Sequence, residues 1–599
     1  MKFMKIFWAA LLAVVVGSIL SGLFWLITLL GVAGSASGSA VAVTDNTILK
    51  IDLADNITDS PVVNPFAGIN FASMQPTRTL SLLNVLRAID AAAEDERIKG
   101  IYLNFNYMGS ITTAALEELR EAIVRFKQSG KFVVAHNDVY PQGAYYLATA
   151  ADKIYLQPQG SVSLTGMSST ILFFKGAFDR LGISCEAFRP TACKYKSAVE
   201  PYIMNKMSEP NRRQNQELCD QVWDVILTDI SEARGIDKQE LNRIADTLDA
   251  TLAEDALKHK LVDGLLYADQ METVWEELGV EKGLLGDYEM VSLGDYCSIV
   301  GADMKNLSAP KVGIVYAEGQ IVDGDSDNDG QTIYGTTLAQ TIADARKDES
   351  IKAVVLRVNS PGGSALASDV IWREVELLKA EKPVIVSMGS YAASGGYYIS
   401  APADAIVADR LTLTGSIGVF GMLLEGGDML RNKLGITTDG VKTNSSADFG
   451  ANVFGLNIRK PTAIERKALI RSVDNVYEVF TEKVAAGRNL DLARVLEIAE
   501  GRVWSGTEAV KIGLADTNGG LLAAISLAAD KAGIADNFRV EEVMGELSPF
   551  MAFMQSLGAQ AKSALVDSRT AAAQQEYEQL QRAMLLEGVQ AICPVRLEF

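Results

Sequence analysis

Residues 391–398 read Tyr-Ala-Ala-Ser-Gly-Gly-Tyr-Tyr and set Ser394 directly before Gly395 and Gly396. The apolar β-branched run 384–386 reads as a buried strand, a small-residue turn follows, and residues 392–401 read as a helix with Ser394 in its first turn. A serine at such a strand-to-helix turn has its hydroxyl beside free backbone N–H groups and the positive end of a helix. Acyl transfer requires that setting. Lacking Cβ atoms, the two glycines let another segment approach the backbone closely. Tight helix packing through small residues is the competing explanation, so the serine needs partners elsewhere in the chain.

An activated serine needs a proton acceptor. The chain holds two histidines, His136 and His259. His136 falls at a strand end and His259 on an amphipathic helix, and neither position suggests a partner for Ser394. Both read as structural. Their scarcity argues against a Ser–His–Asp triad and against a catalytic zinc. Lysine is the other base, provided burial or nearby positive charge makes it neutral. Residues 189–201 read Arg-Pro-Thr-Ala-Cys-Lys-Tyr-Lys-Ser-Ala-Val-Glu-Pro and offer Lys194 and Lys196. Solvated surface charge is the ordinary fate of such lysines.

An internal repeat connects these residues. Ile98-Lys-Gly-Ile-Tyr-Leu-Asn-Phe-Asn106 matches Ile351-Lys-Ala-Val-Val-Leu-Arg-Val-Asn359, Tyr145-Tyr-Leu-Ala-Thr-Ala-Ala-Asp matches Tyr397-Tyr-Ile-Ser-Ala-Pro-Ala-Asp, and Leu164-Thr-Gly matches Leu413-Thr-Gly. The offset stays near 250 residues, far beyond a solenoid period. Two copies of one domain follow, at residues 45–290 and 308–540. They differ where chemistry would sit. Against residues 391–397 the first copy has Tyr140-Pro-Gln-Gly-Ala-Tyr145, one residue shorter, so Ser394 has no hydroxyl counterpart. Asn359-Ser-Pro-Gly-Gly-Ser364 faces Asn106-Tyr-Met-Gly-Ser-Ile111, and the Gly362–Gly363 pair is lost as well. The second copy has the serine without the lysine; the first has the lysine without the serine. One site shared across the copies explains the split.

The elements that must position these residues are strands alternating with amphipathic helices. Residues 48–53, 101–105 and 132–135 read as strands in the first copy, and 312–316, 354–358 and 384–386 in the second. Residues 80–93, 114–127, 337–346 and 368–380 have helical periodicity. This order predicts βαβ units and a mostly parallel sheet, an α/β class. Residues 223–233 and 473–486 read as helices packing one copy on the other. Residues 541–599 form a C-terminal extension, helical over 547–586, and residues 592–599 carry no informative match.

The N-terminus bears two lysines, after which residues 6–32 are uncharged. At ~1.5 Å per residue this run reaches about 40 Å, enough to cross a bilayer. It exceeds a signal-peptide core, so an uncleaved anchor over residues 1–33 is favoured, with the N-terminus cytoplasmic and the bulk outside. Residues 34–44 read as a flexible linker. The balance of 55 basic and 75 acidic residues, −20 net, argues against nucleic acid as a partner. Five cysteines without metal-knuckle spacing argue against a disulfide framework.

With Tyr195-Lys-Ser-Ala-Val-Glu-Pro201, Asn359-Ser-Pro-Gly-Gly363, residues 391–398 and Leu413-Thr-Gly-Ser-Ile-Gly418 in hand, the chain resembles the long, tandem form of the signal peptide peptidase A (protease IV) family. The likeness covers anchor, both copies and motif order. It implies two tandem crotonase/Clp-protease-like domains behind an N-terminal transmembrane helix. It also implies a Ser–Lys dyad with Ser394 as nucleophile and Lys196, within the matching motif, as general base. Ser416 matches a hydroxyl that orients the lysine, and Gly395 with Gly362 or Gly363 would form the oxyanion hole. No cofactor or metal is implied. The implied setting is a homotetramer on the outer face of a bacterial cytoplasmic membrane, degrading signal-peptide remnants and other apolar peptides.

Two rivals differ in class. A crotonase-like acyl-CoA enzyme would need a carboxylate acid/base pair and a phosphate site, and neither is visible in the sequence. A membrane-tethered scaffold with relict motifs would have no reason to keep both halves of one dyad.

Overall fold

The computed structural model describes residues 43–595 and 597, except 54, 62–68, 71–74, 77–78, 106–108, 284, 303–307, 327–331 and 546–588. The expected anchor, nearly all of the linker and the helical reading of 547–586 lie outside the described residues. Among the described residues no helix is long and apolar enough to cross a membrane.

Two parallel sheets repeat one strand order. In the first, Met290–Ser292, Thr47–Ile51, Ile98–Leu103, Phe132–Tyr140, Lys153–Val162 and Gly264–Leu265 are neighbours in that sequence. In the second the sequence is Arg539–Glu542, Lys311–Glu318, Ile351–Ser360, Val384–Ala393, Ala405–Ala408 and Thr517–Asn518. Their central strands are almost continuously apolar because helices cover them, as parallel sheets require. Leu82–Glu94 and Thr113–Lys127 cover the first sheet, and Gly335–Lys347 and Ala365–Lys379 the second. The α/β reading is thus observed, in two repeated regions.

The serine strand departs from the sequence reading. It continues from Val384 to Ala393, and the helix begins only at Gly395. The small residues read as a turn stay extended because their backbone has a partner: Tyr391, Ala392 and Ala393 pair with Leu413, Thr414 and Gly415. Main-chain pairing outweighs weak strand propensity there.

A third, mixed sheet joins the two regions. It contains Gly362–Ser364, Val589–Ile592 and Phe420–Glu425 in adjacent positions. The first-region strand Ser184–Phe188 pairs antiparallel with Phe420–Glu425. That pairing carries the lysine segment across. The helices read at 223–233 and 473–486 are longer, Glu209–Arg234 and Ala463–Arg488. Ser208 and Thr462 cap their first turns, and Gly235 and Asn489 end them in the left-handed region. Both reach the other region, through Asp229–Arg410 at 2.8 Å and the Glu186–Arg466 pair. Deeper in, the buried Arg357 guanidinium meets Asp59 (Nε to Oδ1, 2.7 Å) and Glu118 (2.7 Å) of the first region.

Candidate active site

Ser394 sits between its strand and its helix with φ 57° and ψ −112°, a conformation that L-residues rarely adopt. Neighbouring backbone holds it there. Its N–H donates to the Gly415 carbonyl at 2.8 Å, and its carbonyl accepts from the Tyr398 N–H at 2.8 Å. Its hydroxyl makes no cap hydrogen bond to the helix, and Ser394 is fully buried. The glycines behave as their close approach demands. A Cβ on Gly396 would lie 2.7 Å from the Ser360 carbonyl, and one on Gly395 would lie 2.6 Å from Ser368 Oγ and 3.1 Å from Gly363 N.

Lys196 arrives from the first region. Its Nζ lies 2.6 Å from Ser394 Oγ, 2.9 Å from the Ser416 carbonyl and 2.9 Å from Ser416 Oγ. Lys196 is also fully buried, and burial pushes its ammonium down to about 7. The accounting of a neutral amine closes: two N–H groups face Ser416, and one lone pair faces the Ser394 hydroxyl. Ser416 is itself held at φ 50°, its N–H donating to the Arg502 carbonyl and its hydroxyl lying 3.4 Å from the Gly501 carbonyl.

The lysine loop is rigid for readable reasons. Glu200, fully buried, accepts from Ser208 N–H (3.0 Å), Ser208 Oγ (2.5 Å) and Asn211 Nδ2 (2.9 Å). Ser197 Oγ lies 2.9 Å from Asn211 Oδ1. The Lys-Ser-Ala-Val-Glu-Pro segment is thereby tied to the start of the long helix Glu209–Arg234. Arg189 Nη1 donates to the Lys196 carbonyl at 3.0 Å.

Of the residues expected from the sequence, Ser394, Lys196, Ser416 and the three glycines meet at one place. Gly362 N–H donates to Ser360 Oγ at 3.1 Å, which leaves Gly363 the better second donor beside Gly395. Lys194 stands outside, paired with Glu500 at 2.8 Å and half exposed. His136 Nε2 lies 2.9 Å from the Leu266 carbonyl, and His259 faces Glu240 and Asp249. Neither histidine touches the site. Among the described residues no group of acidic, cysteine or histidine side chains could hold a metal ion.

Two parts of the site escaped the sequence reading. The Glu500–Arg502 backbone clamps both halves: Tyr195 N–H donates to the Glu500 carbonyl, Gly501 N–H to the Ile417 carbonyl and Ser416 N–H to the Arg502 carbonyl. A Cβ on Gly501, at φ +75°, would fall 2.6 Å from Lys196 Cβ. The second is the strand Val589–Ile592 beside Gly362–Ser364. Its signal was present in the alternation Ala591, Cys593, Val595, Leu597.

Comparison with known proteins gives a consistent picture. The description of peptidase family S49 matches residues 125–281 and 376–535. Protease 4 of Haemophilus influenzae is 38% identical over 465 residues, 75% of this chain and 73% of that protein. Protease 4 of Salmonella typhi is 34% identical over 580 residues, 94% of this chain and 87% of that protein. A chloroplastic serine protease SPPA of Arabidopsis thaliana is 34% identical over 469 residues, covering 77% and 67%.

Proposed function

The chain belongs to peptidase family S49 and is a serine protease, and from that premise we propose that it cleaves peptides with a Ser394–Lys196 dyad shared between its two repeats. The reading assigns the base to a repeat at residues 45–290 and the nucleophile to one at 308–540, both of the crotonase/Clp-protease class. The observation that carries it is the 2.6 Å approach of Lys196 Nζ to Ser394 Oγ inside a buried site.

Neutral Lys196 takes the hydroxyl proton as Ser394 Oγ attacks the peptide carbonyl. Ser416 holds the amine so that its lone pair meets that proton. Gly395 and Gly363 N–H groups receive the oxyanion, where one donor is worth roughly 10²–10³ in rate. Lys196 then protonates the leaving amine. Water, deprotonated by the same lysine, releases the acyl group and restores the serine. Base, donors and nucleophile all come from the chain, so the scheme requires no cofactor.

Substrates are read as signal-peptide remnants and other apolar peptides. The setting is read as the outer face of a bacterial cytoplasmic membrane, with the uncharged segment 6–32 as anchor and a homotetramer as the working form. The apolar lining around Leu413, Val503 and Ala393 supports the substrate class.

A fluorophosphonate probe tests the chemistry. Labelling of the parent protein that disappears in both Ser394→Ala and Lys196→Ala supports the shared dyad. Labelling that survives Lys196→Ala discards that base. A folded parent that neither labels nor cuts peptides points instead to a scaffold.

A further inference from the structure

Base and nucleophile come from different repeats, and one helix touches the supports of both. Ala463–Arg488 buries Val473, Tyr477, Phe480, Thr481 and Val484, a stripe whose spacings of three and four residues keep it on one face. Phe480 packs on Tyr398 of the serine helix, ring centroids 4.6 Å apart. Gly487 lies against the Ala401 carbonyl at the end of that helix, with no room for a Cβ. At the other end of the stripe, a Cβ on Gly421 would meet Val473 Cγ2 at 3.4 Å and Phe188 Cβ at 3.8 Å. Val473 thus sits on the strand pair that carries the lysine segment across. Tyr477 stands between these two anchors.

The Tyr477 phenol is buried and faces the Cys193 thiol and the Glu500 backbone N–H, closing a hydrogen bond of good geometry to neither. A buried hydroxyl in that state costs about 1–3 kcal/mol, and a phenylalanine would fill the same space without it. Both neighbours belong to the base. The Cys193 carbonyl accepts from the Lys196 N–H at 3.2 Å, so Cys193 closes the turn that carries the lysine. Cys193 Sγ would lie 3.2 Å from a Cβ on Gly418, two residues after Ser416. Glu500, strained at φ 52°, accepts from the Tyr195 N–H at 3.0 Å. The first repeat supplies the comparison. Its helix Glu209–Arg234 has the same 26 residues, which sets Trp223 at the position of Tyr477. Trp223 is half-buried, and its indole N–H donates to Asn242 Oδ1 at 2.8 Å within its own repeat. In the repeat that carries the serine, the polar tip at this position faces the other repeat's lysine loop instead.

The geometry points to Tyr477 as a positioning residue of the dyad: its hydroxyl seats the Cys193 turn and the Glu500 backbone, and so fixes Lys196 Nζ within reach of Ser394 Oγ. The role rests on the Ser394–Lys196 reading and adds to it the group that sets the reach. Two consequences follow from a loosened turn. The amine drifts from the hydroxyl, and a misplacement on the order of 1 Å costs roughly 100-fold in rate. Water also gains access to the amine, which then holds its proton to higher pH.

The test uses the full chain and Tyr477→Phe, which keeps the ring and removes only the hydroxyl, with Cys193→Ala, Cys193→Ser and the double variant Tyr477→Phe/Cys193→Ala. Kinetics on a fluorogenic apolar peptide give KM and kcat per fluorophosphonate-labelled site, so unfolded molecules do not count. In Tyr477→Phe, kcat falls about tenfold, KM stays within about twofold, and the acid limb of kcat/KM moves up by about 0.5 pH unit or more. Cys193→Ala behaves alike, Cys193→Ser keeps a hydroxyl before the phenol and stays within about threefold of the parent, and the double variant is little worse than either single one. Parental kcat and acid limb in Tyr477→Phe overturn the inference, whatever happens to stability. Losses that multiply in the double variant overturn it too, because the two residues then act apart. Lys196→Met separates this role from the dyad itself. Labelling that survives Lys196→Met sinks the dyad and the inference with it, whereas an unlabelled Lys196→Met beside a parent-like Tyr477→Phe sinks the positioning role alone.

Discussion

The two repeats share a set of hydrogen bonds and part at the bend before one helix. Lys131 Nζ donates to the Ala92 and Asp95 carbonyls, and Lys382 Nζ to those of Ala345 and Asp348. Tyr145 reaches the Leu261 carbonyl at 2.8 Å, and Tyr397 reaches that of Leu514 at 2.9 Å. Asp263 accepts from Ile154 N–H and pairs with Arg234; Asp516 accepts from Ile406 N–H and pairs with Arg488. At the bend the first repeat has Pro141 at φ −53°, and the second has Ser394 at φ 57°. Gln142 fills the first repeat's bend: its Oε1 accepts from Thr165 and Gly166 N–H, and its Nε2 donates to the Gly166 carbonyl. A relaxed bend plugged by an amide serves packing. A strained bend with a buried hydroxyl costs roughly 1–3 kcal/mol and is kept where chemistry uses it.

The sharpest way to break this contrast is to exchange the functional atoms. Ser394→Ala and Lys196→Met should each lower kcat/KM by about 10⁴ or more. Gln142→Ser in the Ser394→Ala chain should restore nothing, since its bend lacks both the strained conformation and a lysine. Peptide hydrolysis and fluorophosphonate labelling measure all three. The base must be neutral, so kcat/KM of the parent should rise through pH ~7, the value to which burial lowers Lys196, and then level off. Stability carries an imprint of the same sign in a higher window. Between about pH 7 and 10.5 the unfolded lysine binds more protons than the folded one, so stability gains from this group as pH rises through that window. Lys196→Met removes the cost of a buried charge. Its unfolding midpoint should exceed the parent's most below pH 7, by a gain on the order of a few kcal/mol.

The contact between repeats is the next target. Arg357 stands where the first repeat has Asn104, whose amide donates to the His136 carbonyl. Arg357 instead reaches across to Asp59 and Glu118 with its side chain fully buried. Arg357→Ala leaves two buried carboxylates without their cation and should cost about 3–5 kcal/mol, read by chemical denaturation. If the loss is under about 1 kcal/mol, this cluster is not what docks the repeats.

How much of this was legible in the sequence follows from the same contrast. The duplicated scaffold was readable because each conserved hydrogen bond needs a particular side chain, and those side chains recur at one offset. The split of serine and lysine was readable as a difference between copies. The docking was not, because the pairing of Ser184–Phe188 with Phe420–Glu425 is main-chain bonding between distant segments that no residue type announces. Nor was the length of the serine strand, where Leu413–Gly415 supplies partners that local propensity cannot foresee. The Glu500–Arg502 clamp acts through carbonyl and N–H groups, with positive φ at Glu500 and Gly501. Only the glycine hinted at it.

That clamp offers a subtler break. Gly501→Ala adds a methyl 2.6 Å from Lys196 Cβ on a backbone at φ +75°. It should cost about 1–3 kcal/mol of stability. Because Gly501 abuts both Lys196 and Ser416, kcat should fall tenfold or more while KM changes little, a split that mere destabilisation does not produce. Gly130→Ala, at φ +82° with nothing within 4 Å of the added methyl and outside the site, is the control for strain alone.

The smallest expected effect decides between two lysines two residues apart. Lys194 carries the same charge as Lys196 on the same loop, yet its ammonium pairs with Glu500 at the surface and stands 5.6 Å from the Tyr195 ring centroid. Half exposed, it keeps its water, and such a pair is worth about 0–1 kcal/mol. Lys194 Nζ is turned to Glu500 outside the site, whereas it is Lys196 Nζ that meets Ser394 Oγ. Lys194→Ala should therefore leave kcat/KM within about twofold and leave the pH profile in place, because burial, not sequence neighbourhood, makes the base. A loss in Lys194→Ala as deep as that in Lys196→Met, with labelling abolished, would reverse the assignment. It would mean that the working enzyme reseats this loop by two residues.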